Sequence, residues 1–320
     1  MKTSKCNSKL ADVICGGVDV GKAFLDIAVE SGEARREPNT PEGRAAIVAF
    51  FVARGVTRVG LEASGGYQFE IAADLQSAGF EVAVLQPAQV RAFAKAINQR
   101  AKTDRIDAAL IARCVSVLKT PARQDDPRLA PLAERLTFLE QIEEDLARMR
   151  GRRDRYRDPD LIAELEAEIA RGAARRKKAL ADLLRLLRSN DDLARRFDLV
   201  ESIDGIGART AMTLVVRMPE LGSISRGQAA ALAGMAPVTR ESGQWRGKSH
   251  VGGGRGRVGR ALFAAAQAAC RRWNARTVDL YNRLRAAGKH HNVAVVACAR
   301  KLIVYANTVL TRGTPWSTQH

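Results

Sequence analysis

The stretch from Val13 to Glu30, VICGGVDVGKAFLDIAVE, decides the fold of the amino-terminal part. Two apolar, β-rich runs flank a Gly21-Lys22 turn, so it reads as an antiparallel hairpin that opens a sheet. Asp19 lies in the middle of the first run, where an uncompensated carboxylate is expensive to bury. Asp26, on the second run, reads as an ordinary cap or surface charge. Working outward, Thr40-Pro41 is a helix start ahead of an amphipathic run to Arg54. The short strand VTRVGLE follows and ends at Glu62, then a helix from about Tyr67 to Ala78, the strand FEVAVLQ, and helical segments from Pro87 to about Leu118. Strands alternating with helices after an opening hairpin predict an α/β domain with a mixed central sheet over residues 1–120.

After Pro121 and Pro127 the character changes. Leu129, Leu132, Leu136, Leu139, Ile142, Leu146 and Met149 recur at three- and four-residue intervals in charged sequence, giving one apolar face. Residues 121–198 therefore read as a helical hairpin or coiled coil with its turn at Asp158-Pro159. The periodicity does not choose between packing on its own domain and pairing with a second chain. From Leu199 the pattern is a small, mostly helical domain to residue 320, with an Ala-rich helix, a Gly- and Arg-rich loop over 240–260, and two further helices to about Leu310.

A formal charge of +17 on 320 residues is self-repelling unless a polyanion answers it, so nucleic acid is the expected partner. Residues 201–320 hold 18 Lys and Arg against five Asp and Glu, which is +13 of the +17. The five cysteines (Cys6, Cys15, Cys114, Cys270, Cys298) form no CxxC pair and no zinc spacing, as expected of reduced thiols in an intracellular protein. The basic start lacks a following apolar region, and Arg300 and Lys301 interrupt the apolar stretch near the end. Neither a signal peptide nor a membrane span is expected, and the reading is cytoplasmic.

Four carboxylates carry the candidate chemistry. Glu62 ends a strand ahead of Ser64-Gly65-Gly66, and Asp104 and Asp107 in KTDRIDA share one side of a helix. Together with Asp19 they offer the hard oxygen ligands that a pair of magnesium ions needs, with manganese a substitute. Two such ions can stabilise both the attacking and the leaving oxygen of a phosphodiester. SIDGIGART has the form of a helix-hairpin-helix turn, in which Gly205 and Gly207 let backbone N–H groups approach a phosphate beside Arg209; a plain interhelical turn reads the same way. Ser242 stands among Arg240, Arg246, Lys248, Arg255, Arg257 and Arg260. It is either a turn residue or a nucleophile whose developing charge those cations would stabilise.

With these residues in place, GVDVGK, GLEASGGY and KTDRIDA, followed by GIGARTA and GMAPVTRESGQWRGKSHVGGGRGRVGRALF, resemble the insertion-sequence transposases of the DEDD type, the IS110 family, over nearly the whole chain. That resemblance implies a RuvC-like (ribonuclease-H-like) domain whose four carboxylates hold magnesium. It further implies a carboxy-terminal domain in which Ser242 attacks DNA to give a phosphoserine intermediate. A noncoding bridge RNA pairing with donor and target DNA is implied too, as is a dimer of dimers whose active sites join one subunit's carboxylates to another's serine. Two rivals differ in what they need. A Holliday-junction-resolvase-like nuclease uses the carboxylates without Ser242, and a non-catalytic nucleic-acid-binding protein has them as an ion-pair network that needs no magnesium.

Overall fold

The opening hairpin forms as its alternation dictates, with β1 (Cys15–Val20) antiparallel to β2 (Phe24–Val29). The computed structural model describes residues 13–63, 66–99, 104–118, 126–239, 241–242, 245–247 and 249–317, and only the backbone of residues 104–106, 241–242 and 245–246. A third strand, β3 (Ala34–Pro38), extends the meander on the far side of β2. The sequence reading did not include it, because ARREP is charged, has no apolar alternation and sits at the sheet edge, where charge is favoured. After α1 (Pro41–Ala53), β4 (Arg58–Glu62) returns to lie parallel to β1. Then α2 (Gln68–Ser77) leads to β5 (Glu81–Leu85), parallel to β4. The sheet order is β3-β2-β1-β4-β5, mixed as predicted, and this arrangement with flanking helices fits a ribonuclease-H-like domain. Helix α3 (Pro87–Ala96) precedes α4 (Asp104–Val117).

Local chemistry explains the boundaries. The Thr40 hydroxyl accepts from the Gly43 N–H (3.3 Å) and Pro41 stands at the first helical turn, so α1 starts where its cap sits. The core between the sheet and α1 and α2 is built from Val18, Leu25, Ile27, Ile47, Phe51, Leu61, Ile71 and Leu75, all fully buried.

The chain divides into two compact units, residues 1–130 and 131–320. In the second, α5 (Leu129–Arg153) and α6 (Pro159–Arg188) form an antiparallel hairpin, capped at its turn by Asp158, whose carboxylate accepts from Asp160 N–H (2.9 Å). Gly172 permits the close crossing, since a Cβ there would lie 2.7 Å from a Leu146 methyl. Its pairing is also ionic, through Arg153–Glu166 (2.8 Å) and Arg176–Glu143 (2.9 Å). The predicted apolar face is buried from Leu129 to Leu146. The remaining helices are α7 (Asp191–Glu201), α8 (Ala208–Arg217), α9 (Arg226–Leu232), α10 (Gly256–Ala268), a π-helical turn (Ala269–Trp273), α11 (Ala275–Ala286) and α12 (His291–Arg312). By length and composition α12 could cross a membrane, but half of its apolar window is buried inside this unit.

The predicted 240–260 loop contains short strands among its described residues. Two short ladders run through it, β6 (Pro237–Val238) with β9 (His250–Val251) and β7 (Glu241–Ser242) with β8 (Trp245–Arg246). Helix α10 already begins at Gly256, so Arg257 and Arg260 are helical rather than loop residues.

Candidate active site

Three glycines set the geometry of the carboxylates. A Cβ on Gly16 would meet the Phe51 ring of α1 at 2.7 Å, whereas one on Gly17 would lie 2.2 Å from the Ala108 carbonyl oxygen and 2.4 Å from Ala112 N. Successive strand residues face opposite sides, so α1 covers one face of β1 and α4 the other, with α4 backbone almost touching the strand. On β4, Gly60 is the register partner of Gly17, and its missing side chain makes room for Ile111 and Val115 of the same helix. Asp19 and Glu62 each lie two residues beyond one of these glycines and therefore point to the α4 side. They sit one residue past the last registered pair, Val18 with Leu61, at the carboxy ends of two adjacent parallel strands. That is where open α/β sheets place ligands.

Helix α4 runs against β1. Ala108 and Ala112 pack at Gly17, while Val115 clusters with Cys15 at the start of the strand. Its amino-terminal turn, which begins with Asp104 and contains half-buried Asp107, thus lies toward the carboxy ends that bear Asp19 and Glu62. The Asp104 side chain lies outside the described residues. Among the described residues no three carboxylate, histidine or cysteine side chains are gathered closely enough to hold an ion.

Asp26 is the register partner of Asp19. The Arg36 guanidinium on β3 grips it as a fork, Nε to Oδ1 at 3.0 Å and Nη2 to Oδ2 at 2.7 Å. It is 5% exposed, a buried structural ion pair rather than the cap or surface charge expected. Neither Arg36 nor the glycines at 17 and 60 drew attention in the sequence, although glycine inside a strand is itself a signal of close backbone approach.

In the second unit, α7 and α8 are joined by the SIDGIG turn. Gly205 has φ +92°, and Gly207 caps α8 with extended backbone. The turn is braced by Asn274, whose Nδ2 donates to the Asp204 carbonyl (3.0 Å), and a Cβ on Gly205 would lie 2.4 Å from Ala269 Cβ. Ser242 pairs with Trp245 across the β7–β8 ladder, and its side chain lies outside the described residues, as do those of Arg240, Arg246 and Lys248.

Three of the predicted cations have internal partners. Arg209 bonds Glu143 (3.0 Å) and Glu140 (3.3 Å), Arg257 bonds Glu140, and Arg255 bonds Glu220 (2.5 Å) and the Arg217 carbonyl (2.7 Å). Arg217 also reaches Glu140 (2.9 Å), and burial lowers its pKa against that carboxylate's pull. Glu140 of α5 is 8% exposed beneath three guanidinium groups. Arg260, on α10, is exposed.

Comparison with known proteins matches the two halves of this architecture separately. A family model for the DEDD enzymes of IS110 type, described as Transposase, covers residues 16–158, and one described as Transposase IS116/IS110/IS902 family covers residues 197–282. The chain belongs to the IS110 family of transposases. By that membership it is a DNA transposase or recombinase. Asp19, Glu62, Asp104 and Asp107 fall in the first matched segment, and the SIDGIG turn and Ser242 in the second. A Streptomyces coelicolor protein, named Insertion element IS110 uncharacterized 43.6 kDa protein, is 34% identical over 118 residues, 36% of this chain and 29% of that protein. Pilin gene-inverting proteins of Moraxella bovis and Moraxella lacunata are each 26% identical over 279 residues, 80% of both chains.

Proposed function

We propose that this IS110-family chain cleaves, exchanges and rejoins DNA strands of an insertion sequence, using Asp19, Glu62, Asp104 and Asp107 as magnesium ligands and Ser242 as nucleophile. The observation that carries it is the convergence of β1, β4 and the amino-terminal turn of α4 at one end of the sheet, enforced by Gly17 and Gly60. Hard carboxylate oxygens from two strands and one helix suit magnesium, or manganese in its place, and without a cation their charges repel. Bound there, the metal supplies charge stabilisation for a phosphoryl centre.

In the covalent step Ser242 Oγ forms a bond to phosphorus as the bond to the leaving strand oxygen breaks. The hydroxyl proton ends on that oxygen, and the phosphoserine ester is later displaced by a hydroxyl of the exchanging strand, which restores Ser242. Similarity to proteins named for gene inversion supports rejoining rather than hydrolysis, since an inverted segment must be religated at both ends. The SIDGIG turn and the cations around Ser242 hold the DNA backbone. The functional division is residues 1–120 for the carboxylates, 121–198 as a helical arm that joins subunits, and 199–320 for the serine. A noncoding bridge RNA, a tetramer assembled on nucleic acid and a cytoplasmic setting complete the reading.

The test incubates protein, the element's flanking noncoding RNA, donor and target DNA with magnesium and looks for a protein–DNA adduct on a denaturing gel. Wild type should give the adduct, and Ser242→Ala and Asp104→Ala should not. Cleavage by Ser242→Ala without any adduct would replace this reading with a resolvase-like metal-dependent nuclease.

A further inference from the structure

Residues 313–317, after α12, fold back onto the second unit. The Trp316 N–H donates to Ser202 Oγ at the start of the SIDGIG turn (2.8 Å), and its ring packs on Tyr305 with centroids 4.3 Å apart. The Arg276 guanidinium lies 5.6 Å from the centre of the Trp316 ring. Between them is a cavity of about 250 Å³ lined by Arg226, Arg276, Lys301 and Arg312 as well as the two aromatics, and no lining residue is acidic. Four cations gathered without a carboxylate are chemically suited to an anion.

We infer that this pocket binds a backbone phosphate of a nucleic-acid strand, anchoring it beside the SIDGIG turn. Guanidinium groups match the tetrahedral phosphate by paired donors, and Lys301 adds a point charge. The choice of a polynucleotide rests on the proposed DNA-recombining function and on continuity: the Ser202 bond ties the pocket to the turn to which that function assigns backbone contact.

The test measures binding of labelled single-stranded DNA and RNA oligonucleotides to the full chain by anisotropy, between about 50 and 200 mM salt. Each lost phosphate contact on a single strand reduces the slope of log K against log salt by about 0.7, so Lys301→Gln with Arg312→Gln, which removes this pocket's one phosphate, should flatten it by about 0.7. The charge-conserving pair Lys301→Arg with Arg312→Lys should keep the wild-type slope. A flattened slope with one polymer alone supports the pocket and names its strand. An unchanged slope with both overturns it, as does equal flattening in the charge-conserving pair. Binding of inorganic phosphate by wild type with no change in either polymer's slope would also overturn the strand assignment. Asp104→Ala leaves the slope alone whether or not it abolishes strand exchange, so the two proposals fail separately.

Discussion

Substituting Gly17 by alanine tests whether the glycine beneath α4 sets the active geometry. The new Cβ would lie 2.2 Å from the Ala108 carbonyl oxygen and 2.4 Å from Ala112 N, and because both are helix backbone no rotamer can clear it. Restoring ordinary contact requires α4 to withdraw by about 1 Å from a close-packed interface. Overpacking of this kind costs about 1–3 kcal/mol, a fall in Tm of roughly 3–10 °C for a unit of this size. The same withdrawal carries Asp104 and Asp107 away from Asp19 and Glu62, and misplacement by about 1 Å costs roughly 100-fold in rate. The assay pairs thermal melts with magnesium-dependent strand cleavage, normalised to folded protein. Gly16→Ala is the control, since its methyl meets the Phe51 ring on the opposite face and should lower Tm without that rate loss. Wild-type cleavage by Gly17→Ala, or an equal rate loss in Gly16→Ala, would refute the reasoning.

Glu140→Gln leaves Arg209, Arg217 and Arg257 crowded around a neutral amide, and should destabilise the second unit by about 3–5 kcal/mol in denaturant melts, whereas the more exposed Glu143→Gln should cost less. Burial, followed by neighbouring Cys270, pushes the Cys298 thiol up to about 12, so it should resist iodoacetamide in the native protein at pH 8 and react only on unfolding. A raised thiol pKa means the folded state holds its proton more tightly. That stabilisation is present below the ordinary thiol value near 9.0 and is lost as pH climbs through about 12, which an alkaline series of melts on wild type and Cys298→Ala would reveal.

The hairpin, the helix start at Thr40-Pro41 and the alternating strands were legible because each is written in local sequence: turn chemistry, a cap, a two-residue period. The burial of Asp26 was not legible, because its partner is Arg36, ten residues further on an edge strand that carries no apolar signature. Gly17 and Gly60 could be read as strand glycines, but nothing near them announces which backbone approaches. That depends on a helix some 90 residues later in the chain for Gly17. The apolar face of α5 was evident, and its partner was not, since the choice rests on Gly172 and on ion pairs formed with α6, α8 and α10. The two ladders around Ser242 escaped because strands two residues long have no periodicity to show.

The ion pairs on Glu140 and Glu143 also have a mechanical meaning. They clamp α5 near its middle to α8 and α10, while the helix continues ten residues further to Arg153 at the hairpin turn. At 1.5 Å per residue that length, paired along its way with α6, is about 15 Å, so a tilt of the hairpin by about 10° at the clamp displaces its tip by roughly 2.6 Å. The α5–α6 hairpin is thereby a lever with its fulcrum under the arginines, and force applied at its tip is delivered to α8 through Arg209 and to α10 through Arg257.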